Sequence, residues 1–202
     1  MKDIEKARQG LSDAETGGIA TEGFTVPDMG EYALLPGNPR RISLMAGQWD
    51  EGTSKEYDLN RGYRACTGAY KGTPLTAMST GMGGPNLELP LTTMAAAGVN
   101  TFIRVGTTGA IQKGIQIGDI IINDCNVRLD GTSRQYVMEE YPSAASPEVV
   151  MALVQACENL GFKYHVGVGC TTASFYAGQS RASFGGYKRQ DADALYKDLQ
   201  SA

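Results

Sequence analysis

Short apolar runs that close on a glycine alternate with stretches of helical spacing along this chain. That alternation constrains the fold more than any other feature. A strand followed by a helix must carry the chain back across a sheet, so repeated pairs build an α/β protein. "YALLPGNPRR" is an apolar run feeding a Pro-Gly-Asn-Pro turn, and "RISLMAGQW" follows with Leu44, Met45 and Ala46 at helical spacing. "GYRACTGAYKGTPLTAMST" reads as a hairpin with "YKGTP" as its turn. "GMGGPN" then leads into the helical "LELPLTTMAAAG", where Pro85 suits a first turn and Pro90 does not suit the interior. "VNTFIRVG" and "GDIIINDCNVR" are strands of the buried kind, and "KYHVGVGCTTAS" is a further strand. "SPEVVMALVQACENLG" is the clearest helix, with Ser146 as N-cap, Pro147 at the first position, Glu148 early and Gly161 at the end. "DADALYKDLQSA" is a final helix, "IEKARQGL" a short first one, and "TGGIATEGFTVPDMGE" a loop. With no linker and no internal repeat, residues 1–202 are expected to form a single α/β domain with a mixed central sheet flanked by helices. The alternation would place another strand after Ala202, so that domain is expected to be incomplete at its C-terminus.

Composition excludes several classes. The net charge is −4 with no run of Lys or Arg, which argues against a nucleic-acid surface and makes any anion site local. "MKDIEKARQG" lacks the apolar core of a signal peptide, and no apolar run approaches the roughly 20 residues of a membrane span. Cys66, Cys125, Cys157 and Cys170 show no C-x-x-C spacing, so zinc is unsupported, and a cytoplasmic protein with reduced thiols is expected. Cys125 and Cys170, near strand-like runs, are read as small core residues, and Trp49 as packing. His165, the only histidine, stands near a strand start and is read as structural. There is no G-x-S-x-G elbow or other nucleophile motif to pair with it.

Four stretches carry candidate chemistry. In "PGNPRR" a glycine turn after a strand can face backbone N–H groups toward a ligand, with Arg40 or Arg41 adding charge; the plainer reading is a turn with solvated arginines. "STGMGGPN" is not G-x-G-x-x-G, and no clear acidic residue follows about 20 positions on, so its glycines serve close packing or backbone approach to a ligand. Arg104 lies inside the apolar "TFIRVG", where an unpaired charge is costly; it needs either a partner carboxylate or a bound anion. Thr107 and Thr108 place hydroxyls just after Gly106, and such donors converging at a strand's C-terminal end are what a phosphate site requires. In "SFYAGQSR", Phe175 offers a flat face, Gln179 a donor and an acceptor, and Arg181 a fork of donors. That trio suits a planar heterocycle with amide-like edges such as uracil; the alternative is a polar surface loop.

Taken together, "LLPGNPRR", "STGMGGPN", "RVGTTGAIQ" followed by "GDIII", and "FYAGQSR" resemble, in this order, the nucleoside phosphorylase family, and within it the uridine phosphorylase branch. The resemblance runs from about Tyr32 to about Arg181. It implies that Gly37 and Arg41 match the first phosphate-binding turn, and Arg104 and Thr107 the central phosphate contacts. It implies that Arg61, rather than Arg64, is the arginine each subunit lends to its neighbour's phosphate site. Thr108 and Gly109 would line the ribose and base pocket, and Phe175, Gln179 and Arg181 would hold uracil. The implied catalytic set is Arg104, Gln179 and Arg181, and the implied reaction is reversible phosphorolysis of uridine to uracil and ribose 1-phosphate. Inorganic phosphate would be co-substrate, with no cofactor and no metal, in a homo-oligomer (a dimer or trimer of dimers).

Two departures qualify the resemblance. The family's ribose-binding Met-Glu segment has no counterpart before Ala202, and "TGGIATEGF" lacks the histidine that bacterial members often carry. A truncated chain with impaired activity is therefore expected. The rival readings are a non-catalytic relative that binds nucleoside or phosphate, a purine phosphorylase or nucleosidase of the same fold, and, more remotely, a Rossmann-type oxidoreductase.

Overall fold

The computed structural model describes Phe24 and residues 26–201. The short helix read at residues 4–11 and the loop up to residue 23 lie outside the described residues. The chain divides into two compact units that meet in sequence between Thr107 and Thr108.

The first unit is built on β1 (Tyr32–Pro36), α1 (Arg41–Ala46), β2 (Lys55–Asp58), β3 (Arg64–Tyr70), β4 (Thr73–Met78), α2 (Gly84–Ala96) and β5 (Thr101–Val105). Its sheet runs in the order β2–β3–β4–β1–β5. β3 pairs antiparallel with both β2 and β4, whereas β4 and β5 flank β1 in parallel, so the sheet is mixed as expected. The two-residue period of a strand sorts its side chains. Ala33, Leu35, Ala65 and Met78 share one face with Met94 of α2, and Leu87 and Leu91 pack beside them. On the other face Cys66 and Ala77 meet Ile42 and Ala46 of α1, with Leu34 and Trp49 alongside. Helices therefore cover both faces of this sheet. β2 was not expected from the sequence: "KEYD" carries three charges in four residues, a composition suited to the end of a sheet rather than its core.

Pro90 sits inside α2 and is buried. Having no N–H, it cannot serve the carbonyl of Asn86 four residues earlier. The Tyr63 hydroxyl takes that role, donating to Asn86 O at 2.9 Å. Tyr63 is itself fixed edge-on against the buried Phe24 ring, centroids 4.9 Å apart.

β5 departs from expectation. Thr101, Phe102, Ile103 and Val105 are half-buried and Arg104 is exposed, because within this unit β5 pairs with β1 alone.

The second unit contains β6 (Ile120–Leu129), α3 (Pro147–Leu160), β7 (Tyr164–Thr172) and α4 (Ala192–Ser201). β6 and β7 pair in parallel from Ile120↔Tyr164 to Leu129↔Thr172, with α3 as the crossover between them. Ser146 occupies the N-cap of α3 with extended dihedrals but makes no side-chain cap bond; its carbonyl accepts from Val149 and Val150 N–H, both at 3.1 Å. Gly161 ends the helix in the left-handed conformation, φ +69°.

Cys170 and Cys125 correct the sequence reading: Cys170 is exposed and Cys125 half-buried, while Cys66 and Cys157 are buried. Proximity to an apolar run does not decide which face a residue takes. On β7 the two-residue period puts Cys170 on the exposed face with Val166 and Val168. His165 pairs across the other side, its Nε2 2.8 Å from Asp119 Oδ2. Lys163 Nζ meets the same oxygen at 2.8 Å, and Gln116 N–H donates to it at 3.0 Å. Three donors on one nearly buried carboxylate hold the Asp119 pKa far below the usual aspartate range, the Gln116 N–H being the largest influence. His165 thus closes the start of the β6–β7 pair.

Among the described residues, no helix is long and apolar enough to cross a membrane, and no group of three or more His, Cys, Asp or Glu side chains is placed to hold a metal ion.

Candidate functional site

The parallel strands β4, β1 and β5 end at one edge of the first unit's sheet, so three loops gather there: 79–83, 37–40 and 106–107. Ligands of open α/β sheets bind at such carboxyl ends. Backbone bonds knit two of the loops, Thr80 N–H to Pro36 O at 2.9 Å and Gly81 N–H to Gly37 O at 3.0 Å. Ser79, buried, ties the edge to β3 by accepting the Arg64 N–H on Oγ at 2.9 Å and donating its own N–H to Arg64 O at 2.8 Å.

Arg104 lies across this edge. Its Nη1 donates to Leu35 O and to Val105 O, both at 3.1 Å. Two glycines make room for the guanidinium. A Cβ on Gly106 would stand 2.8 Å from Nη1, and one on Gly37 would stand 3.1 Å from Nη2 and 3.0 Å from Gly81 O. Among the described residues no carboxylate forms an ion pair with Arg104. The described residues therefore supply no acid partner, one of the two alternatives open from the sequence. Desolvation against the strand ends, and the like charge of Arg41, push its pKa below the usual arginine value. The like charge of Arg41, with no acid paired to Arg104 among the described residues, is a field that a bound anion would offset.

Beside this edge lies a depression of about 210 Å³ lined by Pro39, Arg61, Gly62, Tyr63, Ser79, Gly81, Asn86 and Leu89. Arg61 reaches it from a left-handed residue, φ +59°. Arg61 and Arg64 differ in their partners. Arg64 donates Nε to Asp58 and Nη2 to Glu56, both at 2.8 Å, and Nη1 to Ser43 at 3.4 Å, which occupies its fork. Arg61 forms no ion pair among the described residues.

In the second unit, Phe175, Gln179 and Arg181 come together on one exposed loop after β7. Arg181 stacks its guanidinium over the Phe175 ring, 4.8 Å from the centroid, and its Nε donates to Gln179 Oε1 at 3.3 Å. The Gln179 and Arg181 N–H groups both bond Tyr176 O, at 3.2 and 2.9 Å. A depression of about 220 Å³ adjoins them, lined by Ser174, Tyr176, Ala177, Arg181, Ser183, Tyr187 and Arg189.

Each sequence-predicted residue can thus be placed. Gly37, Arg41, Arg104 and Thr107 belong to the strand-end cluster of the first unit, and Arg61 to the depression beside it. Thr108 and Gly109 open the second unit as exposed residues, and Phe175, Gln179 and Arg181 form its loop cluster. Sequence reasoning did not single out Tyr63 beside Arg61 or Tyr187 beside Arg181, and it named the stretches that hold Ser79, Asn86 and Tyr176 without naming those side chains. A signal for Tyr63 existed: a proline inside a helical pattern, with a carbonyl four residues earlier that some donor must satisfy.

The model of the Phosphorylase superfamily matches residues 31–198. A uridine phosphorylase of Thermococcus kodakarensis is 49% identical over 175 residues, covering 87% of this chain and 62% of the relative. A uridine phosphorylase of Escherichia coli is 37% identical over 149 residues, covering 74% and 58%. One of Haemophilus influenzae is 37% identical over 169 residues, covering 83% and 66%. The chain thus spans about six-tenths of the length of the first two, at 62% and 58%. With the glycine-cradled arginine at the sheet edge and the Phe–Gln–Arg loop both inside the matched residues, this chain belongs to the Phosphorylase superfamily.

Proposed function

We propose that this chain carries the phosphate- and base-binding groups for reversible phosphorolysis of uridine to uracil and ribose 1-phosphate. One observation carries the reading: Arg104 is held by backbone carbonyls between two glycines, beside Arg41, with no acid paired to it among the described residues. An arginine arranged in that way presents donors to an anion rather than closing an internal ion pair. Phosphate is the nucleophile. It attacks the anomeric carbon as the bond to uracil N1 breaks, and the sugar passes through an oxocarbenium-like state stabilised by the phosphate's charge. The bond's electron pair leaves with the base. Gln179 and Arg181, preorganised by their own bond and by stacking on Phe175, donate to the departing uracil where negative charge develops. Thr107 adds a hydroxyl to the phosphate, and Thr108 and Gly109 line the nucleoside. Phosphate and the fixed donors supply all the chemistry, so no step is assigned to a cofactor or metal. The reading includes a cytoplasmic homo-oligomer, a dimer or trimer of dimers, in which Arg61 is lent to the neighbouring phosphate.

Incubation with uridine and phosphate, following uracil release, tests it. Phosphate-dependent release is the expected outcome. Release without phosphate would make the protein a nucleosidase, faster cleavage of inosine would make it a purine enzyme, and binding without turnover would make it a non-catalytic relative.

A further inference from the structure

Ser180 stands between Gln179 and Arg181, and its backbone is in the left-handed region, φ 56° and ψ 29°. That conformation is strained for a residue with a Cβ, so something must hold it there. The Ser180 hydroxyl donates to Asp193 Oδ1 at 2.5 Å. Lys188 Nζ donates to the same oxygen at 2.7 Å. Asp193 lies in the first turn of α4, and that helix packs against the turn 177–179. The far end of α4 is tied as well: Gln112 Nε2 donates to Gln200 O at 3.0 Å, and Gln200 Nε2 donates to Ile111 O at 2.7 Å. One helix therefore holds both the segment that follows Thr108 and Gly109 and the loop that carries Gln179 and Arg181.

We propose that Asp193 is a positioning residue for base recognition: by binding the Ser180 hydroxyl it keeps residue 180 left-handed, which aims the neighbouring Gln179 and Arg181 side chains at the base. Asp193 does not touch the nucleoside; it acts through residue 180. The inference rests on the nucleoside reading given under Proposed function. The bond is strong for its exposure because a hydroxyl meets an ionised carboxylate, whereas the Lys188–Asp193 pair alone, being solvent-exposed, holds little.

The test is a mutant cycle on the full chain: Asp193→Ala, Ser180→Gly and the double variant. Uridine and phosphate affinities are read by calorimetry, and amide exchange is read at residues 179–181. Loss of a charge-assisted bond predicts about tenfold weaker uridine binding in Asp193→Ala, with faster amide exchange at 179–181 and phosphate binding unchanged. Glycine accepts the left-handed conformation without a tether, so the double variant should recover to within about twofold of the parent. The inference is overturned if Asp193→Ala binds uridine like the parent, if it loses phosphate to the same degree, or if glycine at 180 brings no recovery. A parent chain that takes up no uridine at all removes the nucleoside reading itself, and the inference with it.

Discussion

The two candidate clusters are held in opposite ways. In the first unit Arg104 is gripped by main-chain carbonyls of two strands and fitted between two glycines, so its position follows from the sheet itself. In the second unit Gln179 and Arg181 sit on an exposed loop that side chains hold in place: a stacked ring, an amide, and the Ser180–Asp193 bond. A site made from strand ends is rigid because moving it would break a ladder; a site made from a loop is only as fixed as its tethers. Phosphate is the same in every nucleoside phosphorolysis, whereas the base differs, and under the proposed function the rigid cluster would serve the constant partner.

The contrast breaks most sharply at Arg104. Arg104→Met should lower phosphorolysis by about 10²–10³-fold, the usual loss for one preorganised donor, and abolish saturation by phosphate while leaving the melting temperature near that of the parent. A variant that still saturates with phosphate at the parent's concentration would end the assignment. Gln179→Ala should reduce kcat/KM for uridine by about tenfold to a hundredfold with the phosphate KM unchanged, because an unpaired base edge is penalised. If both constants move together, the two clusters are not separate binders.

Gly106→Ala probes the same division more gently. Its Cβ would press on Arg104 Nη1 at 2.8 Å, so the phosphate KM should rise about tenfold with uridine affinity held, by steady-state kinetics. Tyr63→Phe should destabilise the first unit by about 1–3 kcal/mol in urea unfolding, since the Asn86 carbonyl beside Pro90 would lose its donor. An unchanged midpoint would show that water reaches that carbonyl.

The mildest expectation concerns the second unit and pH. Asp119 is depressed in the folded state below its unfolded value of about 3.9. Its contribution to stability is therefore fully present above that value and is lost as pH falls toward the folded pKa. Thermal melts from pH 6 downward should show the parent losing stability below about pH 4, and Asp119→Asn should flatten that slope. Equal slopes would mean other carboxylates govern the acid limb.

Much of this was legible in the residues. The strand–turn–helix order from Tyr32 to Ala46, the hairpin across Lys71 and Gly72, and the α3 helix from Pro147 to Leu160, capped by Gly161, follow from apolar periodicity and turn chemistry, which are local. β2 was not, because "KEYD" has no apolar signal and becomes a strand only by pairing with β3. Arg104 was singled out as a charge in an apolar run, yet its true partners, Leu35 O and Val105 O, include a carbonyl 69 positions away. Cys170 was misplaced because an apolar neighbourhood in sequence does not name a face.

The sequence by itself determined the α/β alternation, the family resemblance and the candidate anion- and base-binding side chains, since these depend on residue type and near-neighbour spacing. The tertiary structure alone decided that the loops at 37, 80 and 106 share one edge, that Tyr63 serves the carbonyl Pro90 leaves free, and that Asp193 holds Ser180. Those are contacts between residues far apart in the chain, and local propensity carries no information about which distant partner a hydrogen-bonding group will find.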